Sequence, residues 1–348
     1  MADKEVGIGG LVFDKKKRDL PQELNVFLGL IGICLIFEIL GRIFVGDSFL
    51  LNAQRLQIII LQVSITGILA IGVTQVIISG GIDLSSGSIV GATAMIAMSF
   101  AQTAMVNGNP NPTAIFHNPS LLDLPVFVPV LVGIACGVVA GLINGWLIAY
   151  TRIPPFIATL GMMVSARGVA KWWTLGRPVS FPIESYKGFG SGFMPVIIFI
   201  GLAILFQAIL TYTKYGKHCY AVGSNEEAAR VSGVNINGHK MMVYMIAALL
   251  AAVGALVLSS KNLTAQAGMG VQYELDAIAM AVIGGVSLSG GRGTIVGTVL
   301  GALIFGVIIS GFTFLNLDAY YQEMVKGAII VGAVVLDQWR QRRKAAKA

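Results

Sequence analysis

Charge is what this sequence has least of. Only 12% of its 348 residues are Asp, Glu, Lys or Arg, about half the share of a water-soluble domain. Composition alone therefore reads as an integral membrane protein. Cysteine is scarcer still. Cys34 and Cys136 lie in apolar runs and Cys219 in a polar stretch, so neither a disulfide framework nor a metal spacing is visible. The three histidines, His117, His218 and His239, fall between apolar runs and belong to no zinc-ligand pattern. A Gly-x-Ser-x-Gly elbow is missing, and so is a Gly-x-x-x-x-Gly-Lys-Ser/Thr phosphate loop. These gaps argue against an embedded hydrolase and against ATP binding through a P-loop on this chain. No row of ionisable residues suggests a proton relay. The first apolar run, from about Val26, is as long as a full span and lacks a small-residue cleavage site behind it, unlike a cleaved signal.

What the sequence has in quantity is apolar length and glycine. Hydrophobic residues make up 55% of the chain, with 43 glycines and a mean hydropathy of +0.80. A helix needs about 20 apolar residues to cross the hydrocarbon core. That rule gives ten crossings and an all-α, polytopic membrane fold. The first five run Val26 to Val45, Leu56 to Ser79, Ser88 to Val106, Val126 to Tyr150 and Phe156 to Trp173. The second five run Met194 to Tyr212, Met241 to Ser260, Asp276 to Leu288, Thr294 to Phe314 and Tyr321 to Leu336. The expected organisation is an N-terminal segment (1–25), one transmembrane domain (26–337) and a basic tail (338–348).

The formal charge of +7 reports sidedness and not a nucleic-acid partner. With the N-terminus in the cytoplasm, ten crossings put Lys15, Lys16, Lys17, Arg18, Arg152, Lys214, Lys217, Arg230, Lys240 and Arg292 inside. The tail residues Arg340, Arg342, Arg343, Lys344 and Lys347 join them, against Arg55, Arg177, Lys187 and Lys261 outside. Basic residues favour the cytoplasmic face, so the short eighth segment is expected to cross, tilted or thinning the bilayer.

Polar features within the apolar chain are few. Glu38 and Arg42 are four apart and can pair. Arg167 and Lys171 are expected to snorkel toward the outer headgroups. Glu274 and Asp276 sit at a helix start, where carboxylates favour the dipole. Glycines four apart, such as Gly137 with Gly141 and Gly297 with Gly301, suit close helix packing. Pro154 and Pro155 suit a helix start.

A glycine-rich, hydroxyl-rich stretch from Gly80 to Gly91 echoes Gly284 to Gly297, given a two-residue insertion. Paired interruptions at matching places in two halves point to a transport pathway. The candidates on that reading are Asp83, Ser85, Ser86, Ser287 and Ser289, with Thr159 in the next interrupted stretch. Asp83, Ser85 or Ser86 could equally cap the third helix. The largest polar loop, 214–240, contains Ser224-Asn-Glu-Glu227, which reads as a capping box with Ser224 at its head. Gly233 offers the stop. The expected surface helix would present Glu226, Glu227 and Arg230 to a partner, with Ala228 and Ala229 allowing close approach.

These residues resemble one family. Gly81 to Gly87, Pro155 to Gly161, Ala221 to Val234, Tyr273 to Ala279 and Val282 to Thr294 occur in the order found in permease subunits of bacterial ATP-binding-cassette importers for monosaccharides. The resemblance runs from the second span onward. It implies a pair of permease copies in the inner membrane, most often a homodimer, and a cytoplasmic ATPase that holds ATP and magnesium. It also implies a periplasmic sugar-binding protein, and no cofactor on this chain. It places Ser224, Asn225, Glu226, Glu227 and Arg230 where the family couples to its ATPase. Ribose, galactose, xylose and a cyclic polyol such as myo-inositol all remain open. An ion-gradient-driven secondary transporter is the alternative, and would need a coupling-ion site that only Asp83 tempts.

Overall fold

The computed structural model describes residues 22–345. The basic cluster Lys15 to Arg18, and Lys347, lie outside the described residues. The chain forms α1 (Gln22–Phe44), α2 (Ala53–Ile78) and α3 (Ser86–Phe100), then a small hairpin of β1 (Met105–Val106) and β2 (Asn109–Pro110). Next come α4 (Phe127–Ala149), α5 (Pro155–Thr174), β3 (Val179–Ser180), the single turn α6 (Glu184–Lys187) and α7 (Met194–Tyr212). Then follow α8 (Lys214–Ser224), α9 (Glu226–Val231), α10 (Ile236–Asn262), β4 (Thr264–Ala265), α11 (Tyr273–Ile283), α12 (Ile295–Phe314) and α13 (Ala319–Ala345). Among the described residues the fold is all-α, with four two-residue strands as clips.

A helix stands at each of the ten expected positions, and among the described residues six are long and apolar enough to cross a membrane: α1, α2, α4, α7, α10 and α12. Three expected boundaries need correction, one of them the tenth, whose helix continues to Ala345. The third segment stops at Phe100, and Met105–Val106 belong to the hairpin. The eighth is an 11-residue helix that ends at Ile283, because Gly284 and Gly285 turn the chain out of it.

Helix α2 is apolar all round and is buried accordingly, from Val63 to Ile78. Such a helix belongs at the centre of a bundle. Helix α10 lies beside it, and α4 packs on α10 through Gly133, Gly137, Gly141 and Gly145. A methyl at Gly137 would sit 2.6 Å from Ala252 Cβ, and one at Gly145 2.7 Å from Met241 Cα. The four-residue glycine ladder therefore sets the approach of two backbones, as its spacing foretold. Gly297 and Gly301 do the same against Gly284 and Met280.

Other local readings hold. Glu38 binds Arg42 at 3.0 Å, and also accepts from Ser48 Oγ and the Leu50 amide, each at 2.9 Å. Pro155 is the first residue of α5, with Pro154 before it. At the end of the bundle where α3 and α10 finish, Gln102 ties three loops together. Its amide nitrogen donates to Thr113 O (2.7 Å) and Ser180 O (3.0 Å), and its oxygen accepts from the Ile115 amide (2.9 Å). There β3 pairs with β4.

Candidate functional site: two helix breaks and the segment that joins them

Helix α2 ends in a Schellman turn. The Gly80 amide donates to Ile77 O and the Gly81 amide to Val76 O, both at 2.9 Å, and Gly80 takes φ +79°. A left-handed residue at this position favours glycine. The chain then runs through Ile82 to Ser85 before α3 begins. Asp83 Oδ1 accepts from the Ser85 amide (2.8 Å) and the Ser85 hydroxyl (2.6 Å). Asn144 of α4 donates to Ser85 Oγ at 2.9 Å.

This corrects the capping expectation. Ser85 is the N-cap residue, and no side chain caps α3. Asp83 holds the residue before the helix, because Ser85 has helical angles (φ −93°, ψ −16°) that turn its amide back toward Asp83. Asp83, Ser85, Ser86 and Asn144 are each at most 1% exposed. Asp83 and Asn144, both bonded to Ser85, join the start of α3 to α4, while the Ser86 hydroxyl has no hydrogen-bond partner. Asp83→Asn keeps the accepting oxygen, so uptake and melting temperature are expected to stay near wild type. Asp83→Ala leaves two buried donors at Ser85 unmatched, at roughly 1–3 kcal/mol each, and should lower the melting temperature measured in detergent.

The second break lies between α11 and α12. It meets the first directly: the Gly291 amide donates to Ile78 O at 2.8 Å. The threonines of the adjoining helices, Thr74 and Thr298, share a hydroxyl–hydroxyl bond of 2.7 Å. The two echoing stretches of sequence are thus neighbours in space. Ser287 is buried, whereas Ser289 is exposed. Ser289 lines a polar cavity of about 270 Å³ together with Ser79, Ser224, Asn225, Lys240 and Tyr244. Thr159 stands apart from this cluster, one turn into α5. It is fully buried, and its hydroxyl donates to Pro155 O of its own helix at 2.9 Å.

Sequence reasoning missed one assembly. After β4, the chain runs back along α3 from its last turn toward its first. Gly91 faces the carbonyls of Ala267 and Met269, and Gly87 faces that of Gly270. Arg167 pins this returning segment, donating to Ala267 O (2.6 Å) and Met269 O (2.7 Å). The guanidinium also attracts the Glu274 carboxylate electrostatically. Glu274 is buried at the start of α11, its Oε2 against Gly87. Arg167 therefore does not snorkel outward. Irregular backbone at membrane depth needs its carbonyls satisfied within the protein, and a guanidinium supplies several donors from one side chain. The available cue was an arginine inside an apolar helix, which by default marks a functional or structural site.

The 214–240 stretch holds two helices and not one. Thr213 caps α8, and Asn225 caps α9 by accepting from the Ala228 amide at 2.9 Å. The capping-box reading is thus corrected by one residue. Ser224 ends α8, and the sharp junction leaves Asn225 extended (φ −161°). Gly233 stops α9 as expected, with φ +86°. Ala229 is buried with Val222 and Ile236 of its own chain, so it is not free for a partner. Glu226 is engaged internally with Arg230 (3.2 Å) and Lys240 (2.7 Å). What α9 offers outward is Glu227, with 78% of its side chain exposed, and Val231, 87% exposed. Helix α8 is itself tied to the last turn of α2 and to the second break: the Tyr215 hydroxyl donates to Gln75 Oε1 (3.0 Å) and the Tyr220 hydroxyl to Gly293 O (2.8 Å).

Comparison with known proteins places this architecture. The family described as "Branched-chain amino acid transport system / permease component" matches residues 55–334. The ribose import permease protein RbsC of Bacillus subtilis is 40% identical over 326 residues, 91% of this chain and 93% of that protein. The galactose/methyl galactoside import permease protein MglC of Escherichia coli K12 is 36% identical over 326 residues, 90% of this chain and 95% of that protein. The ribose import permease of the same strain is 37% identical over 293 residues, 81% of this chain and 85% of that protein. No solved structure matches.

Proposed function

The chain belongs to the permease-component family of the bacterial ATP-binding-cassette importers, and from that premise we propose that it moves a monosaccharide or cyclic polyol from periplasm to cytoplasm. It is a multi-pass protein of the inner membrane and a sugar-import permease. In the proposed reading, ten helices cross, both termini are cytoplasmic, and two copies enclose the pathway. A separate ATPase subunit holds ATP and magnesium, and a periplasmic binding protein delivers the sugar. Asp83, Ser85, Ser86, Thr159, Ser287 and Ser289 shape the route from within each protomer, and Asn225 with Ser224 sets the angle at which α9 meets the ATPase.

The observation that carries the ATPase reading is the α8–α9 segment. It lies outside the helices long enough to span, presents an exposed apolar knob at Val231, and is bonded to the last turn of α2 and to the second helix break. An effector can shift a two-state protein only through contacts that differ between the states, and this segment connects an outer surface to the pathway walls. The test is reconstitution of the permease with the ATPase and binding protein encoded beside it. ATP-dependent uptake is expected, and uptake driven by an ion gradient without the ATPase would overturn the reading. Val231→Asp should weaken ATPase retention on purification while membrane insertion persists. Retention equal to wild type would remove α9 from the docking surface.

A further inference from the structure

Gly223 occupies the last turn of α8, where glycine is the least favourable helix residue after proline. Its surroundings explain it. A methyl at 223 would overlap Ile78 O and come within 2.7 Å of the Gly291 nitrogen. Those two atoms form the hydrogen bond that joins the breaks. From the opposite side, a methyl at Gly290 would lie 2.6 Å from Gly223 O, and one at Gly291 would collide with the Ser224 hydroxyl. A methyl at Gly80 would lie 3.7 Å from Gly223 Cα. Three backbones, from α8, the α2–α3 break and the α11–α12 break, meet here at glycines, with the Ser224 hydroxyl beside Gly291.

A junction of this kind has no rotamers with which to absorb a displacement. Close-packed contacts shift between discrete arrangements and do not deform smoothly. Movement of α8 must either carry both breaks with it or separate them. The Tyr215 and Tyr220 bonds reinforce the same unit from either flank.

We propose that the Gly223–Gly290–Gly291 junction is where displacement of the α8–α9 segment passes to both helix breaks at once, making these glycines positioning residues for transport. The inference rests on the reading that α8–α9 docks the ATPase. It is tested in the full importer, reconstituted with ATPase and binding protein. Gly223→Ala is expected to keep the ATPase bound while sugar taken up per ATP hydrolysed falls by about tenfold. A bound ATPase with wild-type uptake per ATP would overturn the proposal. If Gly223→Ala does not assemble, Tyr215→Phe with Tyr220→Phe decides, since both rings remain and only the two hydroxyl bonds go. A loss of about threefold in uptake per ATP supports the junction, and unchanged coupling overturns it. Absence of the ATPase from the purified wild-type complex would instead remove the docking reading beneath it.

Discussion

Gly141→Leu is expected to prevent assembly of the folded permease. A methyl at position 141 would already lie 2.5 Å from Met245 Cα, 2.8 Å from Tyr244 O and 3.0 Å from Ala248 Cβ. These contacts are mostly backbone on α10, which cannot rotate away. A leucine there would hold α4 off α10 along the whole ladder from Gly133 to Gly145. The gap would also detach Asn144 from Ser85, loosening the first turn of α3. Losses beyond about 4 kcal/mol arise from such overpacking of a buried contact, and the expected readout is no monodisperse peak after detergent extraction. Gly201→Leu is the matched control. Position 201 on α7 has no neighbour within 4 Å of an added methyl, so its effect should stay within about 0.5 kcal/mol. Equal behaviour of the two variants would show that the ladder does not set the α4–α10 approach.

Arg167→Met should abolish uptake and lower the melting temperature sharply. The substitution removes the donors to Ala267 O and Met269 O, each costing about 1–3 kcal/mol if left unmatched. It also removes a nearby positive charge from buried Glu274, whose Oε2 has no hydrogen-bond partner. Adding Glu274→Gln to Arg167→Met removes that stranded charge, so the double variant should be more stable than Arg167→Met alone. Non-additivity of that sign is what a thermodynamic cycle detects between coupled residues. Additive melting shifts would mean that Arg167 acts on the carbonyls alone.

Much of this was legible in the sequence, for reasons that differ by residue. The ten helix positions follow from apolar length, which lipid imposes directly, and the glycine ladders from a four-residue spacing that only a helix makes contiguous. The two echoing breaks were visible because glycine and hydroxyl clusters stand out against an apolar background, and they meet through Gly291 and Ile78. The misreadings came where a local rule competed with a distant partner. Ser224 fits the capping-box pattern and Asn225, with Ala228 three residues on, does not, yet Asn225 is the cap because the junction is fixed by contacts with residues 78 and 291. Arg167 was read by depth alone, because the carbonyls it serves lie 100 and 102 residues onward. Glu226 looked available to a partner until the fold brought Lys240 to it.

The buried acids of α11 have a consequence for how the chain enters the membrane. An 11-residue helix rises only about 16 Å, roughly half of a hydrocarbon core about 30 Å thick. Carrying Glu274 and Asp276, it has no tendency to partition into lipid by itself, since a carboxylate at mid-membrane costs about 2.5–3.5 kcal/mol on insertion scales. Its place must be prepared: α3 and α5 supply Gly87 and Arg167, and both precede it in synthesis. Asp276 pairs with Lys326 of α13 at 3.2 Å, which emerges from the ribosome later. The segment from β4 to α11 therefore depends on both halves of the chain: α2 and α3 line it from the first half, α12 packs on it from the second, and α13 brings Lys326 to Asp276.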